Sequence, residues 1–144
     1  CIRDRIEGKP LIEILRSNEH DEELLIKVGR SIRELHRNAV NHGDLSTNNI
    51  LISDNREAFL IDLGLATREY DLEGFGIDLH VLHEILRASH PDVKGAMDLV
   101  LKGYSQLDEE LGKPEAAPGG FPPDAEDVIK RLGQIMKRVR YHGG

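Results

Sequence analysis

The tightest constraint on this chain lies between His42 and Gly64. Two short apolar runs, Asn49-Ile50-Leu51-Ile52 and Ala58-Phe59-Leu60-Ile61, are separated by Ser53-Asp54-Asn55-Arg56. Those four residues carry turn chemistry, so the segment predicts a β-hairpin. Polar residues gather at its two ends. His42-Gly43-Asp44-Leu45-Ser46-Thr47-Asn48-Asn49 precedes it, and Asp62-Leu63-Gly64 follows. A strand that ends in an acid and then a glycine pushes a carboxylate out of the sheet edge, and Gly64 lets the backbone turn behind it. The preceding loop delivers a second carboxylate, Asp44, and an amide, Asn49, to the same mouth. Two carboxylates and an amide oxygen are hard ligands, suited to Mg²⁺ held partly through phosphate and water. Phosphoryl transfer needs such a set: one acid on the acceptor side, an acid and an amide on the metal. The bland alternative is that these are ordinary turn acids at hairpin ends.

Around the hairpin the pattern is helical. The segment from Arg5 to Pro10 reads as a connector. Leu11 to Leu15 reads as a short helix, and a longer one spans about Asp21 to Ala39 with Leu24, Leu25, Val28, Ile32 and Leu35 on one face. Helical periodicity resumes at Leu79, Leu82 and Leu86 and breaks at His90-Pro91. Another helix carries Val93 to Tyr104, and a last one Val128 to Val139. Residues from about 105 to 124 read as a flexible insertion because of the prolines and glycines between Leu111 and Pro123. The expected fold is α+β: one domain, mostly helical, around one small hairpin.

Composition narrows the class. With 144 residues, 39% hydrophobic and 31% charged, a single core is within reach; aromatics are 4% and Trp is absent, so that core is aliphatic. The one cysteine, Cys1, excludes an internal disulfide framework and a cysteine-based zinc site, and suits a reducing, cytoplasmic setting. No apolar run approaches the ~20 residues of a membrane span, and no secretory signal is visible. The chain starts at Cys1 rather than Met, so its true N-terminus reads as missing. The net charge is −7, yet Lys130, Arg131, Lys137, Arg138 and Arg140 give the C-terminus a basic run. That run reads either as a solvated helix face or as a tail for a polyanion such as RNA.

The two acidic motifs, in order and flanking a hairpin, match the kinase catalytic loop and its following metal-binding acid. Asn49 stands five residues after Asp44, and Asp62 stands 18 after it, room for one hairpin. The arginine usual in that loop is Gly43 here, as in aminoglycoside and choline-type kinases and in the Bud-type (p53-related) atypical kinase of the KEOPS complex. Ser46-Thr47-Asn48-Asn49, Asp62-Leu63-Gly64-Leu65-Ala66, Gly76-Ile77-Asp78-Leu79-His80-Val81-Leu82-His83-Glu84 and Ser89-His90-Pro91 resemble the last of these, and Ile6-Glu7-Gly8 resembles its hinge. The resemblance covers nearly all of residues 2–104.

It implies a short kinase C-lobe, agreeing with the absence of an Ala-Pro-Glu motif and with the 16 residues from Asp62 to Asp78. It implies Asp44 as catalytic acid, Asn49 and Asp62 as Mg²⁺ ligands, and Asp4, Ile6 and Glu7 on the ATP side. Asp78 would be the buried acid that ties the loop's backbone, with His42 and Gly64 in support. Leu63 for the usual Phe is an apolar swap in a packing role. His80 and His83, at i, i+3, suggest no third metal ligand. No glycine-rich loop or strand lysine is present; Lys9 follows the hinge. The chain is therefore expected to be residues 1–10 of a hinge and 11–144 of a C-lobe, without an N-lobe and inactive alone. The implied activity is that of a Ser/Thr protein kinase or ATPase of KEOPS type, supporting threonylcarbamoyl-adenosine formation on tRNA. Its implied partners are the KEOPS subunits, chiefly the Kae/Tsa-type synthase, and tRNA through the basic C-terminus. The alternatives are an aminoglycoside-type phosphotransferase and a non-catalytic partner-binding lobe.

Overall fold

A computed structural model describes residues 8–17, 22–38, 40–43, 45–53, 57–61, 67–68, 72–90, 93, 95–112 and 123–142. The described elements, in chain order, are β1 (Gly8–Pro10), α1 (Leu11–Arg16), α2 (Glu22–Arg37), β2 (Val40–Asn41), β3 (Ile50–Ser53), β4 (Ala58–Leu60), β5 (Thr67–Arg68), α3 (Leu72–Ser89), α4 (Ala96–Leu111) and α5 (Ala125–His142). The fold is mostly helical with a small antiparallel sheet, as the sequence predicts.

The hairpin forms as expected, with Ile50 opposite Leu60 and Ile52 opposite Ala58. It is not isolated. Gly8–Pro10, read as a connector, is a third strand antiparallel to β3, with Gly8 opposite Ser53 and Pro10 opposite Leu51. Three residues are too few for a period-2 signal, so only the neighbour reveals the strand. Pro10 has φ −59 and ψ 144 and passes straight into α1, using proline's fixed φ at a strand-to-helix step. The same limit hid the two-residue ladder of β2 with β5, Val40 opposite Arg68 and Asn41 opposite Thr67.

The expected insertion at 105–124 is corrected at its N-terminal end. Residues 105–111 continue α4, which runs to Leu111. Leu107 keeps the apolar stripe of Met97, Val100 and Tyr104 buried, and Asp108 is anchored to α2 and α5 by hydrogen bonds. Residues 113–122 lie outside the described residues. α5 starts under the Asp124 side chain, which accepts the Asp127 N–H at 2.8 Å, an ordinary N-cap.

The described core is mostly aliphatic, with Phe75 and Tyr104 fully buried in it. Leu24, Leu25, Val28 and Ile32 of α2 meet Val100 and Tyr104 of α4, and Phe75, Leu79 and Leu82 of α3 complete it with Leu45 and Ile50. Each such side chain contributes ~1.5–3 kcal/mol by leaving water. α2 and α4 cross with their backbones in contact. A methyl built at Gly29 would lie 1.8 Å from the Val100 carbonyl oxygen, and one at Gly103 would lie 1.9 Å from that of Ile26. Glycine is required at both positions by close approach.

On α5, Arg131 and Arg138 both pair with Glu73 of α3, at 3.2 and 2.5 Å. Two of the five C-terminal cations are thus engaged within the chain, while Lys130 and Lys137 are exposed. No described helix is long and apolar enough to cross a membrane.

Gly29→Ala will destabilise the protein by at least about 2 kcal/mol, because overpacking against a backbone carbonyl outweighs the helix-propensity gain. Gly133→Ala, where nothing lies within 4 Å of the added methyl, will stabilise it by about 0.5–1 kcal/mol. Denaturant titrations of the two variants should move the midpoint in opposite directions.

Candidate active site

The site is built where the hairpin's open end meets the loop before β3. Asp44, Asp62, Gly64, Asp4, Ile6 and Glu7 lie outside the described residues, and so does Leu63. What the structure describes is the residue before each of the two carboxylates and the groups that hold it.

The residue before Asp44 is held by α3. Asp78 is buried, and its Oδ1 accepts the Gly43 N–H at 3.0 Å while Oδ2 accepts the His42 N–H at 2.8 Å. Gly43 has φ 86, a left-handed conformation that favours glycine. It turns the Gly43 amide inward to the carboxylate. Two backbone bonds to one buried acid fix the loop's entry to Asp44.

The residue before Asp62 is held twice. The Ile61 N–H donates to the Asn49 carbonyl at 2.9 Å, extending the β3–β4 register by one pair. The Ile61 carbonyl accepts the His42 Nε2–H at 2.8 Å. His42 is fully buried. Its ring spans from the loop to the strand end, so its geometry is that of a support. Asn49 is buried, and its own N–H donates to the Ser46 carbonyl at 3.0 Å. Gly43 and Ile61, which immediately precede the two candidate acids, are therefore linked through the one residue His42.

The loop is also tied from the other side. Thr47 is buried, its Oγ1 lies 3.2 Å from His90 Nε2, and its carbonyl accepts the Ile12 N–H at 3.1 Å. The Ser-Thr-Asn-Asn and Ser-His-Pro segments, far apart in sequence, thus meet.

Sequence reasoning missed a buried polar chain behind Asp78. His36 Nε2 lies 3.0 Å from Asp78 Oδ2, and His36 Nδ1 lies 2.7 Å from the Tyr104 hydroxyl. Its ring stacks on Phe75 at 4.3 Å between centroids. Burial drives the His36 pKa below its ordinary value of 6.5, despite the Asp78 carboxylate, and the Arg33 charge adds to the shift. His36 is thus neutral. A carboxylate only accepts, so Nε2 carries the proton and donates to Asp78, and Nδ1 accepts the Tyr104 O–H. Burial lifts the Tyr104 phenol well above its usual range.

Next in the chain, Arg33 donates to the Tyr104 oxygen at 3.4 Å and makes a two-pronged pair with Asp108 at 2.8 and 3.1 Å. Burial opposes the Arg33 cation, but its interactions with Asp108 and Tyr104 together outweigh that and hold the guanidinium above its ordinary value. Burial likewise opposes the Asp108 anion, and Arg33, the Ala125 N–H and Arg37 together pull that carboxyl below its usual range. The available signal was Arg33 and His36 interrupting the α2 stripe. Leu35, placed on that stripe, is only half-buried, while Arg33 and His36 are fully buried.

Magnesium bound partly through nucleotide phosphates needs hard oxygen ligands, and the set at this end of the hairpin fits it in kind: the Asn49 amide beside two carboxylates in sequence. Among the described residues no three His, Cys, Asp or Glu side chains cluster as a metal site; the set needs Asp44 and Asp62.

The comparisons with known proteins bear on this frame. Residues 11–89 match the lipopolysaccharide kinase (Kdo/WaaP) family. The chain belongs to this kinase family. Its relatives include a Methanosarcina acetivorans protein named "Probable bifunctional tRNA threonylcarbamoyladenosine biosynthesis protein", 35% identical over 136 residues, which cover 94% of this chain and 21% of that one. An Archaeoglobus fulgidus protein named "Probable serine/threonine-protein kinase BUD32 homolog" is 31% identical over 97% of this chain and 61% of its own. A Pyrococcus abyssi protein named "KEOPS complex subunit Bud32" is 34% identical over 97% of this chain and 59% of its own. The Bud-type resemblance read from the sequence is borne out. The chain spans between about a fifth and three fifths of these relatives.

Asp78→Ala will leave two backbone N–H groups and the His36 N–H without an acceptor, at a cost of at least about 2 kcal/mol. A thermal melt should show it as a clear drop in Tm. The pH dependence has a definite sign. Because folding lowers the His36 pKa, its neutral form contributes stability that is complete above about pH 6.5 and declines as pH falls below it, where the unfolded chain takes up the proton first. Melts between pH 8 and 5 should show a shallower acid-side decline in His36→Gln than in the native protein.

Proposed function

We propose that this chain is the catalytic lobe of a Bud-type ATP-dependent phosphotransferase or ATPase. One observation carries the reading furthest. The residues just before Asp44 and Asp62 are both held in place: Asp78 accepts the Gly43 N–H, the Ile61 carbonyl accepts from the His42 ring, and His42 joins the two by donating its own N–H to Asp78. Turn acids at a solvated hairpin end need no such frame. A reaction that must hold an acceptor and a metal-bound phosphate in fixed relation does.

In this reading Asp44 receives or orients the acceptor hydroxyl or water. Asn49 and Asp62 hold Mg²⁺, and Asp4, Ile6 and Glu7 face the nucleotide. When bound, the metal neutralises charge on the transferred phosphate. The chain's own work is positioning: Asp78 and His42 fix the backbone, and Gly64 is proposed as its support after Asp62. The relatives' names, tRNA threonylcarbamoyladenosine biosynthesis and KEOPS complex subunit, support a role in that tRNA modification. The KEOPS name also supports partnership with KEOPS subunits; the partner proposed first is the Kae/Tsa-type synthase, and the setting proposed is the cytoplasm. The exposed Lys130 and Lys137 of α5 leave room for tRNA contact.

In the full-length protein, Asp62→Ala will abolish Mg–ATP turnover with the fold intact. Asp44→Ala will lower kcat far more than nucleotide affinity, because an acceptor-side acid acts chiefly in the transition state. Steady-state ATPase assays beside nucleotide-binding calorimetry decide both. Native turnover in a folded Asp62→Ala protein overturns the assignment.

A further inference from the structure

The polar chain behind Asp78 has a direction. Arg33 can only donate, so the Tyr104 oxygen accepts from it, and the phenol hydrogen is left for His36 Nδ1. With Nδ1 accepting, the imidazole carries its hydrogen on Nε2, facing Asp78 Oδ2. That oxygen also holds the His42 N–H. The opposite tautomer would set a nitrogen lone pair against the carboxylate and loosen its hold on the loop. Arg33 is itself fixed by Asp108 and by the Pro123 carbonyl at 2.8 Å. Asp108 in turn accepts the Arg37 side chain and the Ala125 N–H, both at 2.8 Å. An aliphatic core could fill this space without burying a guanidinium, an imidazole and a carboxylate, with a second carboxylate partly buried beside them.

We propose that Tyr104 and Asp108 are positioning residues for the loop that carries Asp44: by setting the His36 tautomer they fix how Asp78 grips His42 and Gly43, so the α4–α5 junction governs that loop. The effect on turnover rests on the catalytic reading above; the coupling to the loop does not.

The test uses the full-length protein, with amide hydrogen exchange and ATPase kinetics measured together. Tyr104→Phe removes one oxygen and keeps the ring packing. It should speed exchange of the His42 and Gly43 amides about tenfold while Leu15 in α1 is unchanged. It should also lower kcat about tenfold with KM for Mg–ATP within about twofold. Asp108→Asn should act in the same direction. Unchanged exchange at His42 and Gly43, or faster exchange spread evenly over the protein, overturns the proposal. Should Tyr104→Phe not fold, His36→Gln and His36→Leu give the same readout. Gln retains a donor toward Asp78 and should keep both amides protected, and Leu should expose them. Equal exchange in the two variants overturns the coupling. Turnover surviving in Asp62→Ala sinks the catalytic reading instead, and the exchange result still decides the coupling.

Discussion

One buried carboxylate organises the end of this protein that carries the candidate site. Asp78 on α3 takes three hydrogen bonds, from the His42 and Gly43 amides and from His36. A buried anion without donors would be intolerable, and buried amides without acceptors nearly so. Each side therefore enforces the other. The loop cannot move away without exposing a charge to an apolar core, and α3 cannot shift without orphaning two peptide groups. His42 passes the constraint on to Ile61 and so to the strand end before Asp62.

That arrangement depends on how closely α2 approaches α4. Glycines at 29 and 103 let the two backbones touch. Farther along the same pair, Arg33 and His36 then fall against Tyr104 and Asp108. A larger residue at either crossing point would push the helices apart and stretch each of these bonds together. Packing and polar geometry are thus one constraint in this region: the apolar crossing sets the distances, and the hydrogen bonds use them.

Much of the candidate site was legible in the primary sequence because its parts are local. The spacing of Asp44, Asn49 and Asp62 needs only one hairpin between them, and β3 and β4 form it. Asp78 was legible through its resemblance to a family pattern, and its burial and loop contacts follow that outline. The strands β1, β2 and β5 were not legible, since two or three residues carry no period. The continuation of α4 through Leu111 was hidden because Asp108 and Glu110 look like loop residues until Arg33, Arg37 and Arg30 are set opposite them.

The sequence by itself determined the helical character, the hairpin and the candidate acids, because each rests on periodicity or on spacing within a short stretch, and it pointed to the kinase family through the resemblance of its motifs. Only the tertiary structure decided that Arg33 and His36 are interior, that Tyr104 completes a chain to Asp78, and that Asp108 joins α2, α4 and α5. The physical reason is range. A polar residue on a helix reads as solvent-facing unless its partner is known, and here the partners stand 42 to 75 positions away.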